Sequence, residues 1–185
     1  MEELRQKWNT RYRALAGQSV EPCQVLASHT GLLPQTGTAL DLACGRGGNA
    51  MLLAQQGLST SAWDISGVAI NELQKRAQTA GLSIDCCISD VSAKPPAPAL
   101  FDVIVVSYFL DRGLLNNLEH ALRPGGLLYY QTFIGEQRDG RGPKNPEFRL
   151  KYNELLNHFS GLKLVYYDES GQNIDGECLY IGQKP

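Results

Sequence analysis

An acid set inside an apolar strand, followed by a run of glycines, is where this sequence concentrates its chemistry. Thr38 to Ala50 reads T-A-L-D-L-A-C-G-R-G-G-N-A. The stretch is a short buried strand that turns on glycine and enters a helix. Such a corner presents bare backbone N–H groups at a helix N-terminus. Gly45, Gly47 and Gly48 permit φ > 0 and let a ligand approach the main chain. Asp41 is the unusual member, because a carboxylate in an apolar strand is costly to bury without a partner. It is expected to face the mouth of the sheet, where a positively charged ligand meets it. Asp64 ends the apolar run Ser61-Ala62-Trp63, 19 residues after Gly45. An acid there is placed to accept hydrogen bonds from ribose hydroxyls.

Three readings of this corner compete. Gly45 to Ala50 fits the dinucleotide fingerprint G-x-G-x-x-G/A, which is weak alone. S-adenosylmethionine (SAM) carries an amine and a sulfonium and no phosphate, so Asp41 suits it better than it suits a pyrophosphate. The third reading is a structural corner with no ligand. Trp8, Arg11 and Tyr12 share one face of a predicted helix over residues 2 to 16, marked by Leu4, Trp8, Tyr12 and Leu15. That face either covers the core or holds a cofactor carboxylate by guanidinium and aromatic contact.

The elements that position these residues alternate. A second helix is expected from Glu21-Pro22 to about His29, then a loop into the first strand. Asn49 to Gln56 reads as a helix closed by Gly57, and residues 59 to 64 as a strand. Ser66 is a good N-cap for a helix to about Ala80, stopped by Gly81. Ile84 to Ser89 is a third strand, and Asp90 ends it as Asp64 ends the second. The three acids therefore reach one sheet edge, the carboxyl-end crevice of a parallel α/β sheet, although each can also be a plain N-cap. Lys94-Pro95-Pro96 is a surface loop. Phe101 to Ser107 is the most apolar strand, hence central and parallel. A helix over Leu114 to Leu122 ends at Arg123-Pro124-Gly125-Gly126, and Leu127 to Phe133 is a fifth strand. Gly135 to Arg149, with Arg138, Arg141, Lys144 and Arg149, is a polar loop placed to be a lid. Asn153 to Phe159 is a helix. Leu162 to Tyr167 and Glu177 to Gly182 close the chain as an antiparallel pair around Ser170-Gly171-Gln172-Asn173.

A length of 185 residues and a net charge of −2 fit a single domain, 1–185, with an N-terminal helical lid over 1–31 and a substrate loop over 135–149. Neither nucleic acid nor an anionic membrane is favoured as a partner. The charged opening and the short apolar runs give no signal peptide and no membrane span, so the expected compartment is the cytoplasm, and the expected state a monomer or weak homodimer. The five cysteines lack C-x-x-C spacing and lack metal-like spacing with the three histidines, so no metal is expected. Cys44 reads as a small residue fitted near the ligand.

L-D-L-A-C-G-R-G-G-N, W-D-I-S, S-D-V and A-L-R-P-G-G-L-L-Y together resemble the motifs of the class I SAM-dependent methyltransferases. K-W-N-T-R-Y and R-G-P-K-N-P-E-F-R-L narrow the resemblance to a small bacterial group related to tellurite-resistance and thiopurine methyltransferases. The resemblance implies an α/β, doubly wound, mostly parallel seven-stranded sheet with an antiparallel last strand and N-terminal helices. By matching position, Asp41, Cys44, Gly45 and Gly47 line the methionine part of SAM, and Ala43, Asn49 and Ser66 are further cofactor-binding candidates. Asp64 holds the ribose hydroxyls, with Ile65 against the adenine ring, and Asp90 meets the adenine amino group with the Val91 backbone N–H at the ring. Ser107 lies beneath the transferred methyl. The loop after the fifth strand departs in composition from the tellurite-resistance members.

Methyl transfer from a sulfonium needs alignment and exclusion of water. The expected wall of the acceptor pocket is Tyr12, Tyr108, Asp111, Arg112 and Arg149, with Arg141 in the loop. No His or Lys in that set makes a persuasive base, so the expected acceptor is a small soft or anionic molecule, a thiol or chalcogen oxyanion, guided by arginine. Two alternatives stand beside this: a non-catalytic SAM-binding module or sensor, and an NAD-dependent oxidoreductase.

Overall fold

Phe101–Ser107 is the strand on which the sheet is centred, because its β-branched run leaves no polar face to show to solvent. In the computed structural model, which describes residues 2–137, 140–169 and 176–185, it is the fourth of seven strands. The elements in chain order are α1 (Glu2–Ala14), α2 (Gln24–Ala27), β1 (Thr38–Leu42), α3 (Gly48–Gln55), β2 (Ser59–Asp64), α4 (Gly67–Thr79), β3 (Ile84–Ile88), β4 (Phe101–Ser107), α5 (Leu115–Ala121), β5 (Leu122–Phe133), α6 (Glu154–His158), β6 (Lys163–Asp168) and β7 (Glu177–Gln183). Strand order is β3-β2-β1-β4-β5-β7-β6. The first five strands are mutually parallel, and β7 runs antiparallel to both β5 and β6. The expected doubly wound sheet with its antiparallel final strand is the fold observed. Arg138 and the turn Ser170 to Asn173 lie outside the described residues. No described helix is long and apolar enough to cross a membrane.

Side chains alternate across the sheet. Leu40, Leu42, Ile104, Val106, Leu128 and Tyr130 pack with Leu115, Leu118, Leu155 and Phe159 on one face. Ala39, Val103, Val105, Tyr129 and Ile181 pack with Val25, Leu26 and Leu53 on the other. α4 adds Ile70 and Leu73 against Ala62. Its start follows from Ser66, whose hydroxyl accepts the Ala69 N–H at 3.3 Å, and Gly81 stops it at φ +68°.

Two elements depart from expectation for tertiary reasons. α2 begins at Gln24 and spans four residues, followed by a 3₁₀ turn over Thr30–Leu32. The Cys23 and Val25 N–H groups are taken by Asn49 Oδ1 and Gln131 Oε1, both at 2.8 Å. The chain therefore enters this helix extended rather than helical from Glu21. β5 begins at Leu122 and not Leu127, because Leu122 pairs with Phe101. The Gly125 N–H and Gly126 C=O bond to Lys184. Arg123-Pro124-Gly125-Gly126 is thus a bulge within a strand, a place where proline is tolerated.

Candidate functional site

Between β1 and α3 the backbone turns left-handed at Ala43 (φ 55°), Gly45 (φ 53°) and Gly47 (φ 77°). The glycines serve different ends. A Cβ on Gly48 would lie 2.2 Å from the Glu21 carbonyl oxygen, and one on Gly47 would lie 2.3 Å from Leu73 Cδ1. Those two allow close packing within the protein. Only at Gly45 does the added atom meet α1, 2.8 Å from the Tyr12 hydroxyl.

Asp41 corrects an expectation. It is fully buried and does not face the sheet's mouth. Its Oδ2 accepts the Ala50 N–H at 2.9 Å and its Oδ1 accepts from Asn49 Nδ2 at 3.2 Å. The acid is therefore partnered at the α3 N-terminus, where the helix dipole favours it. Burial pushes its carboxyl up to about 7, against the two hydrogen bonds, which pull it down. A cationic ligand above the turn would favour the ionised form.

Asp64, almost fully buried, ties the glycine turn to α4. Its Oδ2 accepts the Gly45 N–H and its Oδ1 the Ser66 N–H, both at 2.8 Å. Each oxygen keeps a lone pair for a hydroxyl donor. Burial raises this carboxyl also. Ser66 is fully buried, and its hydroxyl donates to Asn9 Oδ1 at 2.7 Å, so it joins α1 to α4. Asn9 escaped the sequence analysis. Trp8 and Tyr12 stack at 5.8 Å, with the Arg11 guanidinium 5.4 Å over Trp8, the shared face the spacing predicts. Burial, with Asp64 and Cys44 adding, raises the Tyr12 phenol. α1 itself has no buried residue and rests on these few contacts.

The third acid, Asp90, caps a turn, its Oδ1 accepting the Ser92 and Ala93 N–H groups at 3.1 and 3.3 Å. Val91 is buried in the main core cluster beside Leu42, and Ile65 stays half-buried between Asp64 and Ser66. Asp41, Asp64 and Asp90 nevertheless lie along the carboxyl ends of three adjacent strands, as expected. Cys44 is buried in the turn: its thiol donates to the Gly45 carbonyl at 3.6 Å, and burial holds it well above the usual thiol range. Among the described residues no group of His, Cys, Asp and Glu could hold a metal.

Beyond β4 lies a second polar layer. Asn49 Nδ2 also donates to Ser107 Oγ at 2.9 Å. Tyr108, left-handed at φ 54°, donates to Glu177 Oε2 at 3.1 Å, and Gln131 Nε2 donates to the same oxygen at 2.8 Å. Gln131 and Glu177 were missed, although each is a polar residue beside an apolar strand run, the signal that marked Asp41. The expected acceptor arginines are corrected. Arg112 is bound to Glu154 and to the carbonyls of Glu147 and Arg149. Arg149, nine-tenths or more buried, donates to the carbonyls of Ile134, Gly135, Glu136 and Arg141. Both staple the 135–149 loop, because a buried guanidinium needs acceptors for its whole fork. Asp111 caps the turn Arg112–Leu114 by accepting the Gly113 N–H. The three histidines stand elsewhere: His29 on Tyr166, His158 on Phe159, and His120 at the end of α5.

These residues fit an adenosyl sulfonium. The Asp64 carboxylate with its remaining lone pairs, the left-handed turn at Gly45 and the aromatic face of α1 match such a ligand, and Asp41 behind the turn ionises toward a cation where it would oppose a phosphate. The comparisons agree. Residues 39–126 match the methyltransferase domain family. A ubiquinone biosynthesis O-methyltransferase from Xylella fastidiosa is 31% identical over 101 residues, 50% of this chain and 40% of that relative's length. Among solved structures, TehB from Haemophilus influenzae superposes with TM-score 0.73 at 20% identity, covering 96% of this chain and 67% of its own. A SAM-dependent methyltransferase from Aquifex aeolicus gives 0.73 at 18%, covering 96% and 98%. At these identities the two structures show a shared fold.

Proposed function

We propose, as the premise of the function, that the chain carries a methyltransferase domain of the class I SAM-dependent kind, which the match of residues 39–126 to the methyltransferase domain family supports. On that premise it is an enzyme that moves a methyl group from SAM to a small acceptor. The observation that carries this reading is Asp64, which bonds both the Gly45 and the Ser66 N–H groups under a lid that covers Gly45. Bound SAM supplies an electrophilic methyl on a good leaving group. Asp64 accepts from the ribose hydroxyls. Tyr12 covers Gly45, and with Trp8 and Arg11 beside it would hold the cofactor carboxylate and exclude water. Ser107, fixed by Asn49, ends β4 under the reacting side, and Tyr108 walls the acceptor.

For the acceptor, the favoured class is small and soft or anionic, such as a thiol or chalcogen oxyanion. The support is the lack of a spare base among the described residues: Asp111 caps a turn and the histidines lie elsewhere. Arg112, Arg141 and Arg149 are each held by protein acceptors, so the soft part of this reading carries more than the anionic part. One observation favours an oxygen acceptor instead: the Tyr108 hydroxyl donates to a buried carboxylate, and the curated relative is named as an O-methyltransferase.

Titration calorimetry with SAM and its demethylated product tests the cofactor, with NAD as control. Micromolar binding of the adenosyl pair alone is the expected result, and equal binding of NAD would overturn it. A product screen over thiols, tellurite, selenite, phenols and small acids tests the acceptor and separates an enzyme from a SAM-binding sensor.

A further inference from the structure

One buried carboxylate gathers the segments that enclose the acceptor side. Glu177 opens β7, and its side chain is wholly buried. Its Oε2 receives the Tyr108 hydroxyl from the end of β4 and the Gln131 amide from β5, and its Oε1 receives the Arg141 guanidinium from the loop after β5. Gln131 turns its other atom to the Val25 N–H at 2.8 Å, so the cluster also reaches the segment that enters α2. Tyr108 holds a left-handed φ of 54°, which costs an aromatic residue energy and persists only where its surroundings over-determine it. Its ring lies 5.3 Å from Phe133 and the residue is 47% exposed, so the strained residue meets solvent at the carboxyl end of β4. Apolar side chains of the same volume would often hold these strands as well as a buried carboxylate and its partners do. A buried charge, backbone strain and a half-exposed loop arginine in one place are the marks of a functional element.

We propose that Glu177 is the positioning residue of the acceptor pocket: it fixes Tyr108 as one wall and draws the 140–149 loop inward through Arg141 as the other. The identity of the pocket rests on the methyl-transfer reading, whereas the clamp does not. Cofactor hold belongs to β1–β3 and acceptor selection to the start of β7, so the two are separable by mutation.

Glu177→Gln keeps the size of the side chain and removes the charge that holds Arg141. Limited trypsin digestion reads the clamp directly, at the bonds after Arg141 and Lys144. The variant is expected to be cut there about tenfold faster or more, while its affinity for S-adenosylhomocysteine stays within about twofold of wild type. With dithiothreitol and potassium tellurite as methyl acceptors, KM rises and kcat changes little, the pattern of lost acceptor binding. Arg141→Gln breaks the same ion pair from the loop side, carries the trypsin test at the bond after Lys144 should Glu177→Gln fail to fold, and raises KM in the same sense. Equal trypsin rates in a folded variant overturn the proposal whether or not either acceptor turns over. So does a parallel fall in S-adenosylhomocysteine affinity, because that reports general collapse. Failure of the wild-type protein to bind S-adenosylhomocysteine would instead sink the methyl-transfer reading and leave the clamp to the trypsin result.

Discussion

Asp41 and Asp64 lie on neighbouring strands, with Asp41 paired to Ala62, two positions before Asp64. The deeper acid caps a helix and the shallower one meets the crevice. Asp64→Ala is expected to weaken SAM binding by about 1–3 kcal/mol through the lost ribose hydrogen bonds, measured by calorimetry. Asp41 makes stability depend on pH. Its folded carboxyl titrates at about 7, above the unfolded value of about 3.9, so between the two the folded state holds the extra proton. The stability it contributes is full below the unfolded value and is lost as pH rises through about 7. Thermal melts of the ligand-free protein should therefore fall in midpoint from acid toward neutral pH, and Asp41→Asn should flatten that slope. Arg149→Ala strands buried carbonyls, so urea unfolding should show a loss of about 1–3 kcal/mol with SAM affinity unchanged. An arginine that served only the acceptor would leave stability unchanged and raise the acceptor's KM.

Among the elements, α4 was legible from its ends, since Ser66 and Gly81 are local signals and neither depends on a distant partner. α2 was not, because the side chains that take its first N–H groups, Asn49 and Gln131, lie 26 and 106 residues away. β5 was misread at its start for the same kind of reason: its glycines pair with Lys184 at the far end of the chain. α3 depends on the segment before α2, which crosses its first turn. Gly48→Ala would press a methyl on the Glu21 carbonyl, and neither backbone can yield cheaply. A loss of about 1–3 kcal/mol in chemical denaturation is the expected result. Ser66→Ala should cost about 1 kcal/mol through the lost cap and also loosen α1, seen as faster hydrogen exchange in residues 2–14.

At the scale of the molecule, ligand and fold are linked, because the crevice is assembled from β1, β2, α1 and α4 together. S-adenosylhomocysteine at about a hundred times its dissociation constant should add about 2.7 kcal/mol, which for a chain of this size is a rise in Tm of about 5–10 °C; no rise would mean the crevice does not bind it. Sequence alone determined the parallel sheet, the central β4, the antiparallel ending, the glycine turn and the acid at Asp64, since each is written in periodicity or in residues close together in the chain. Only the tertiary structure decided which polar groups face the crevice. Asp41 and Ser66 turned inward to helix ends, Arg112 and Arg149 went to loop carbonyls, and Glu177 arrived from the last strand to meet Tyr108 and Gln131. A buried polar group takes whichever partner three-dimensional packing brings within hydrogen-bond reach, and that partner's distance along the chain is unconstrained.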